Sequence, residues 1–229
     1  MVLMPKFAPI VVLLFLGSIM AGMVAAATYV YAMARRQPAV KRWALIGILT
    51  IAAGYATLLF GASLTSREKV LTEGGKKYFC EIDCHLAYSI DRVRTAKALG
   101  ELAHPARADG TFHVIALKTW FDENTISPMR PKEAPLYPNP RHVYIQDGSG
   151  RRYPPSEPGQ RALKSAGVAS TPLSRPLIPG QSYITQLVFD LPDDVLRPRL
   201  YVGDADPVSS FLIGHEESPL HRKIFFGLR

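Results

Sequence analysis

The hydrophobic pattern divides the chain into two parts that differ in kind. Residues 7–34 and 43–63 contain no charged side chain, and each run is long enough to cross a hydrocarbon core about 30 Å thick. The alternative for the first run is a signal peptide cleaved near "VAA" at residue 26. Because the apolar run continues past that point and exceeds the core of a signal peptide, we expect two transmembrane helices at about 7–34 and 43–63.

Beyond residue 65 the pattern changes to short runs of β-branched and aromatic residues. Of the 19 prolines, 16 lie beyond residue 100, where they interrupt any long helix. Turn residues separate the runs, and this arrangement is typical of a β-sandwich. The expected strands are 86–99, 112–121, 141–146, 182–191, 197–203, 209–214 and 222–228, and the long connection 154–180 is expected to hold one short helix around 159–166. Strand periodicity predicts burial of Ile115, Leu117, Val143, Tyr183, Leu187 and Phe189.

Four motifs occur in a recognisable order between residues 86 and 203. They read "VRTAKALG", "DGTFHVIALKTWFDEN", "YIQDGSGRRYPPS" and "PLIPGQSYITQLVFDLP". This order resembles the small bacterial extracytoplasmic immunoglobulin-like domains of the telokin-like group, whose function is largely unknown. The resemblance implies an all-β immunoglobulin-like sandwich and supplies no functional residues. Together with the two apolar runs, the resemblance predicts a membrane anchor at 1–65, a linker at 66–85 and the sandwich at 86–229.

The charge distribution predicts how the chain lies in the membrane. The first 65 residues hold five basic and no acidic side chains, and four of the five lie in "RRQPAVKR" at 35–42. By the positive-inside rule this loop is cytoplasmic, so both termini and the C-terminal domain lie outside the inner (plasma) membrane. The 22 basic residues after position 65 are interspersed with 19 acidic ones, so we expect no nucleic-acid partner.

The only two cysteines, Cys80 and Cys84, are followed directly by His85. In a straight strand the two Cα atoms would lie about 13 Å apart, whereas a disulfide needs about 4.4–6.8 Å. We therefore predict that both cysteines lie on a turn or irregular lead-in and that the regular strand starts near Leu86. A disulfide in an oxidising compartment, a copper or zinc site or redox thiols, and thiols without a role all remain open. Closing so short a loop would add little stability.

A second group of ligand-type residues lies near the C-terminus in "GHEESPLH". His215, Glu216 and His221 either form a second half of a metal site with the cysteine turn or lie on a polar loop between the last two strands. They do not form the H-E-x-x-H motif of zinc proteases, because the histidines are six residues apart and Pro219 intervenes.

No hydrolase or phosphate-binding motif is present in the sequence. The function expected from these features is that of a membrane-anchored extracytoplasmic binding or accessory protein, with no evident catalytic site. Its partner is expected to be another membrane or extracytoplasmic protein. The alternative is a metal-binding or thiol-redox protein that uses Cys80, Cys84 and His85.

Overall fold

The structure is a computed structural model that describes residues 8–81, 84–101 and 105–228. The described chain forms two compact units. One comprises Glu68–Asp206 with the C-terminal segment from Lys223, and the other comprises the N-terminal helices up to Arg67 with Pro207–Arg222.

The helical unit contains two long apolar helices, α1 (Ala8–Ala34) and α2 (Pro38–Thr65). Both are long and apolar enough to cross a membrane, with mean hydropathies of 2.5 and 1.9. Pro38 lies in the first turn of α2, where a missing N–H breaks no helical hydrogen bond. Large apolar side chains are exposed along both helices.

The segment 207–222 of the helical unit differs from the expected strand at 209–214. It begins as a 3₁₀ helix, Pro207–Phe211, and continues in successive turns. The Tyr55 hydroxyl on α2 donates a hydrogen bond to the Phe211 carbonyl at 2.6 Å, and the Arg222 amide donates to the Ser66 hydroxyl at 2.7 Å. These two hydrogen bonds connect the segment to α2 and to Ser66 directly after it. Tertiary contacts therefore override the strand propensity of the short apolar run 209–214.

The second unit is built from two β-sheets. Its strands are β1 (Lys69–Leu71), β2 (Lys77–Cys80), β3 (His85–Leu99), β4 (Ala106–Asp122), β5 (Arg141–Gln146), β6 (Arg152–Tyr153), β7 (Ser182–Leu191), β8 (Arg199–Asp204) and β9 (Ile224–Gly227). The five-stranded sheet has the order β1-β9-β8-β5-β6 and the four-stranded sheet the order β2-β3-β4-β7. The β1–β9 pair is parallel, and the other pairs are antiparallel.

The inner faces of the two sheets share one hydrophobic core, which makes this unit a β-sandwich. The four-stranded sheet contributes Leu86, Tyr88, Ile115, Leu117, Phe121, Leu187 and Phe189, and the five-stranded sheet contributes Ile145, Leu200, Val202 and Phe226. Four of the six residues predicted to be buried lie in this core, namely Ile115, Leu117, Leu187 and Phe189. Val143 and Tyr183 are only half-buried and pack against the core. The Tyr183 hydroxyl reaches out of it to the Leu173 carbonyl at 2.7 Å.

The range 66–85, expected to be a linker, contains strands β1 and β2. Lys77 and Phe79 point into the sandwich and are 2% and 8% exposed. The Lys77 ammonium donates to the carbonyls of Val202 and Ile224 at 2.6 and 3.1 Å. Because one of the inward positions of β2 is a lysine, its sequence lacks the alternation of apolar and polar residues that would predict a strand.

The two edges of the four-stranded sheet differ. Beyond β7 runs the connection 154–180, which contains the predicted short helix α3 (Glu157–Ser165) and covers the β7 edge. The Ser156 amide donates to the Val188 carbonyl at 2.7 Å and the Thr171 amide to the Ile184 carbonyl at 3.0 Å. At the other edge β2 pairs only with the first four residues of β3, His85–Tyr88.

Candidate functional site

The structure places the cysteines on opposite faces of the β2–β3 hairpin. Cys80 ends β2 directly opposite His85, and the Glu81 amide donates to the Cys84 carbonyl at 2.8 Å. Opposite residues share a face of a sheet and successive residues alternate. Cys80 and His85 therefore lie on the outer face, where Cys80 is exposed, while Glu81 and Cys84 point inward and are 5% and 1% exposed.

This geometry differs from the expected turn that brings both thiols to one point. The regular strand β3 begins at His85, one residue before the predicted start. Cys80, however, is the last residue of a regular strand. Residues 82 and 83 lie outside the described residues.

The inward side of the hairpin belongs to a buried ionic network. The Glu81 carboxylate pairs with Arg141, and the two side chains are 3% and 1% exposed. Arg141 also lies 3.3 Å from the Asp204 carboxylate, and its Nε donates to the Tyr88 hydroxyl at 3.3 Å. Burial raises the pKa of Glu81 above its ordinary value, and the Arg141 charge opposes that shift. Because this network is closed to solvent and joins the two sheets, its role is structural.

The outward side of the hairpin forms a row of three polar residues. Cys80 lies opposite His85 on β2 and β3, and His85 lies opposite Asp122 on β4. The His85 amide donates to the Thr125 hydroxyl at 2.9 Å. Burial lowers the pKa of the His85 imidazole, and the Asp122 carboxylate opposes that effect. Sequence reasoning did not identify Asp122, because its position beside His85 depends on the β3–β4 register.

The second predicted half-site lies in the helical unit, on the turns of segment 207–222. The Glu217 amide donates to Nδ1 of His215 at 3.1 Å, and Nδ1 of His221 donates to the Arg222 carbonyl at 2.8 Å. Glu216 follows His215 on the same turns.

A metal site is not assembled in the described part of the chain, where no three His, Cys, Asp or Glu side chains are grouped to hold an ion. The cysteine turn and the His215–His221 group belong to different compact units. Copper or zinc binding by these residues stays a prediction.

The outer face of the four-stranded sheet carries two neighbouring clefts. One, of about 330 Å³, is lined by Asp91, Arg92, Arg94, Val114, Ala116 and Ile184, among others. The second, of about 260 Å³, is lined by Lys76, Ala87, Ser89, Lys118, Trp120 and Ser182, among others. Helix α3 covers the far end of the same face, where Leu163 packs with Phe112, Val114 and Val188. We call the uncovered part, defined by Lys76, Arg92, Arg94, Lys118 and Trp120, the basic face.

The basic face is electropositive. The Lys76 ammonium lies 4.1 Å from the centre of the Trp120 ring. Within the described ranges, Arg92, Arg94 and Lys118 form no ion pair with an acidic side chain, and Asp91 is the one carboxylate that lines the clefts. This surface combines unneutralised cations, an aromatic ring and a small-residue floor, so it can bind an anionic ligand.

Sequence reasoning missed the basic face because a β-bulge creates it. The pairing shifts by one residue between Ile90 and Arg92, and Arg92 then lies opposite Ala116 and Arg94 opposite Val114. Without the extra residue, Asp91, two positions after Ser89, would occupy the outer face. The alternation of Ala116, Lys118 and Trp120 in β4 was the available signal, and it marks these three as residues of one face.

No protein-family model matches the chain, and no curated protein matches it. Among solved structures, it is similar to a conserved hypothetical protein from Bacillus anthracis, with 14% identity, a TM-score of 0.41 and coverage of 57% of this chain and 89% of that one. It is also similar to the yjhA protein from Bacillus subtilis, with 11% identity, a TM-score of 0.40 and coverage of 69% and 98%. The secreted protein MPT63 from Mycobacterium tuberculosis shows 8% identity, a TM-score of 0.41 and coverage of 72% and 100%. Sequence identities and TM-scores this low support no conclusion about function.

Proposed function

We propose that the chain is a membrane-anchored accessory protein whose β-sandwich lies outside the cytoplasm and binds an acidic partner on the basic face. The observation that carries this proposal is the set of cations on that face, three of which form no ion pair with an acidic side chain within the described residues. Charged surfaces of one sign attract and orient partners of the opposite sign.

The anchoring part of the proposal rests on the helical unit. Helices α1 and α2 suit a bilayer in length and hydropathy, and the loop 35–42 between them carries four basic side chains. In this proposal the loop is cytoplasmic, the membrane is the inner (plasma) membrane, and the sandwich is an extracytoplasmic immunoglobulin-like domain of the telokin-like kind. Its partner is then another membrane or extracytoplasmic protein.

The test of binding uses the full chain in nanodiscs of phosphatidylcholine. Fluorescein-labelled poly-glutamate is the probe, poly-lysine is its control, and fluorescence anisotropy measures binding over a range of salt concentrations. We expect poly-glutamate to bind and its affinity to fall as salt rises. Replacement of Arg92, Arg94 and Lys118 by Gln should weaken binding about tenfold or more.

The matched control removes the same number of positive charges from exposed positions elsewhere, with Lys69→Gln, Lys132→Gln and Lys164→Gln. It should leave the affinity nearly unchanged. If the control variant weakens binding as much as the basic-face variant does, the chain attracts acidic polymers through net charge alone and the basic face is not a binding site.

The second candidate function is metal binding or thiol redox chemistry at the hairpin, and the row of Cys80, His85 and Asp122 favours it. Elemental analysis and thiol titration of the full chain, under reducing and non-reducing conditions, test it. Because the cysteines lie on opposite faces, Cys80→Ser should abolish bound copper or zinc while Cys84→Ser keeps it. Absence of metal from the wild-type protein, together with unchanged thiol titres under both conditions, would exclude this candidate.

A further inference from the structure

We infer that the acidic partner binds as an added β-strand along the open edge of β3, between Ile90 and Leu99. This inference rests on the proposed function and specifies its ligand as an extended acidic peptide segment. Such strand addition gains affinity from main-chain hydrogen bonds and specificity from alternate side chains.

The open edge follows from the unequal lengths of β2 and β3. Strand β3 has 15 residues, and β2 pairs only with His85–Tyr88. On its other side β3 pairs with β4 as far as Leu99. In the part of the chain that the structure describes, no backbone hydrogen bond from another segment closes the edge from Ile90 to Leu99. An edge strand of this kind presents unpaired N–H and C=O groups to a new chain.

The side chains along this edge suit a strand with acidic residues at every second position. Arg92 and Arg94 are both exposed and both lie on the outer face, about 7 Å apart along the strand. Alternate residues of an added strand have the same spacing. Their Cβ atoms would lie about 5 Å from those of the arginines, which brings carboxylates within reach of both guanidinium groups.

The charge on the edge argues for an acidic segment and against a second copy of this chain. Symmetric antiparallel pairing of two β3 edges about Val93 would place Arg92 of each copy opposite Arg94 of the other. Like charges opposite each other destabilise a strand pair. The β7 edge is not available for strand addition, because the connection 154–180 already bonds to it.

Charged side chains and bulges also serve to keep an edge strand from pairing, and the experiment must separate this role from peptide binding. The full chain in phosphatidylcholine nanodiscs is titrated with a labelled peptide of alternating Thr and Glu, as long as the open edge. A second peptide has the same sequence with every interior amide N-methylated, so it keeps its charge but has lost its interior N–H donors. Phosphatidylglycerol vesicles are the third probe.

We expect the first peptide to bind and the N-methylated peptide to bind at least about tenfold more weakly. The bound peptide should slow amide hydrogen exchange in residues 90–99 and leave residues 182–191 unchanged. Arg92→Gln with Arg94→Gln should weaken binding about tenfold, whereas Lys132→Gln with Lys164→Gln should not.

Each other outcome overturns the inference in a distinguishable way. Equal affinity for both peptides would mean that the cations bind acidic chains without strand addition, and the proposed function would survive. Binding to the vesicles alone would assign the face to lipid headgroups. Self-association of the arginine variant, with no peptide binding by the wild type, would show that the charges only protect the edge. Failure of every anionic probe would remove the proposed function as well.

Discussion

At the scale of single residues, Arg141 joins several strands of the sandwich. Its guanidinium contacts Glu81 from the β2–β3 hairpin, Asp204 from β8 and Tyr88 from β3. It also lies 4.1 Å from the centre of the Phe79 ring. A buried ion pair adds little net stability, but removing one partner leaves the other charge buried and uncompensated.

The first prediction follows from the cost of removing one partner of a buried ion pair. Arg141→Met should destabilise the sandwich by about 3 kcal/mol or more, because Glu81 and Asp204 lose their shared counter-charge. Urea unfolding of the full chain in detergent, followed by tryptophan fluorescence, measures the change. Arg161→Met is the matched control, since Arg161 and its partner Glu157 are 72% and 86% exposed, and its loss should cost less than about 1 kcal/mol. Similar losses for the two variants would contradict the prediction.

The second prediction concerns His113 on β4. Burial lowers the pKa of His113 below its ordinary value, so the unfolded chain takes up a proton more readily than the folded one. Stability should therefore fall as pH drops below about 6.5. His113→Leu should flatten this dependence.

His85 has a pKa shifted in the same direction, so part of the pH dependence should remain in the His113 variant. The test compares the unfolding midpoints at about pH 5 and about pH 8, since histidine side chains change their charge between these values. A difference between the two midpoints as large in the variant as in the wild type would show that His113 does not contribute.

At the scale of elements, the strands that the sequence indicated are those with ordinary alternation. The expected strand 86–99 matches β3, and 182–191 matches β7. Strand β2 was missed because Lys77 occupies an inward position, and its burial depends on carbonyls from β8 and β9 that only the folded chain provides. The run 209–214 was wrongly assigned to a strand, because six residues cannot reveal which contacts will hold them.

The residues of the candidate site could be predicted from the sequence, but the face of the sheet on which each one lies could not. The sequence shows that Cys80, Cys84 and His85 are close to one turn. Which of them share a face depends on the pairing of Glu81 with Cys84, and a register cannot be read from spacing alone. The basic face likewise depends on a single bulged residue in β3. Two consecutive polar residues, Asp91 and Arg92, interrupt the alternation there, but this interruption alone does not distinguish a bulge from the end of a strand.

The third prediction tests how tightly β4 packs against the end of β7. A Cβ added at Gly110 would lie 2.1 Å from the Leu191 carbonyl oxygen, which is backbone and cannot move aside. Gly110→Ala should therefore destabilise the sandwich by about 1–3 kcal/mol. Gly227→Ala is the control, since its Cβ would lie 3.4 Å from the Val70 side chain and 3.5 Å from the Leu71 carbonyl oxygen, which is ordinary van der Waals contact. Equal unfolding midpoints for the two variants in urea would refute this reading of β4.

At the scale of the whole molecule, charge is distributed differently before and after residue 65. The first 65 residues contain five basic and no acidic side chains, whereas the remaining chain holds 22 basic and 19 acidic ones. In the proposed function the concentrated charge of the loop 35–42 orients the helices, and the local charge of the basic face recruits a partner. The two roles involve separate residues, so variants can disturb either one alone.

The last prediction tests the orientation through Cys80, whose side chain is exposed on the sandwich. In spheroplasts treated with an impermeant reductant, an impermeant maleimide should label the wild-type protein and the Cys84→Ser variant but not Cys80→Ser, since Cys84 is only 1% exposed. Replacing Arg35, Arg36, Lys41 and Arg42 by Gln should reduce labelling, because the positive charges that retain the loop in the cytoplasm are gone. Lys6→Gln removes a basic residue outside the loop and should leave labelling unchanged. Labelling of the wild type only after the membrane is permeabilised would place the sandwich in the cytoplasm and overturn both the topology and the proposed extracytoplasmic role.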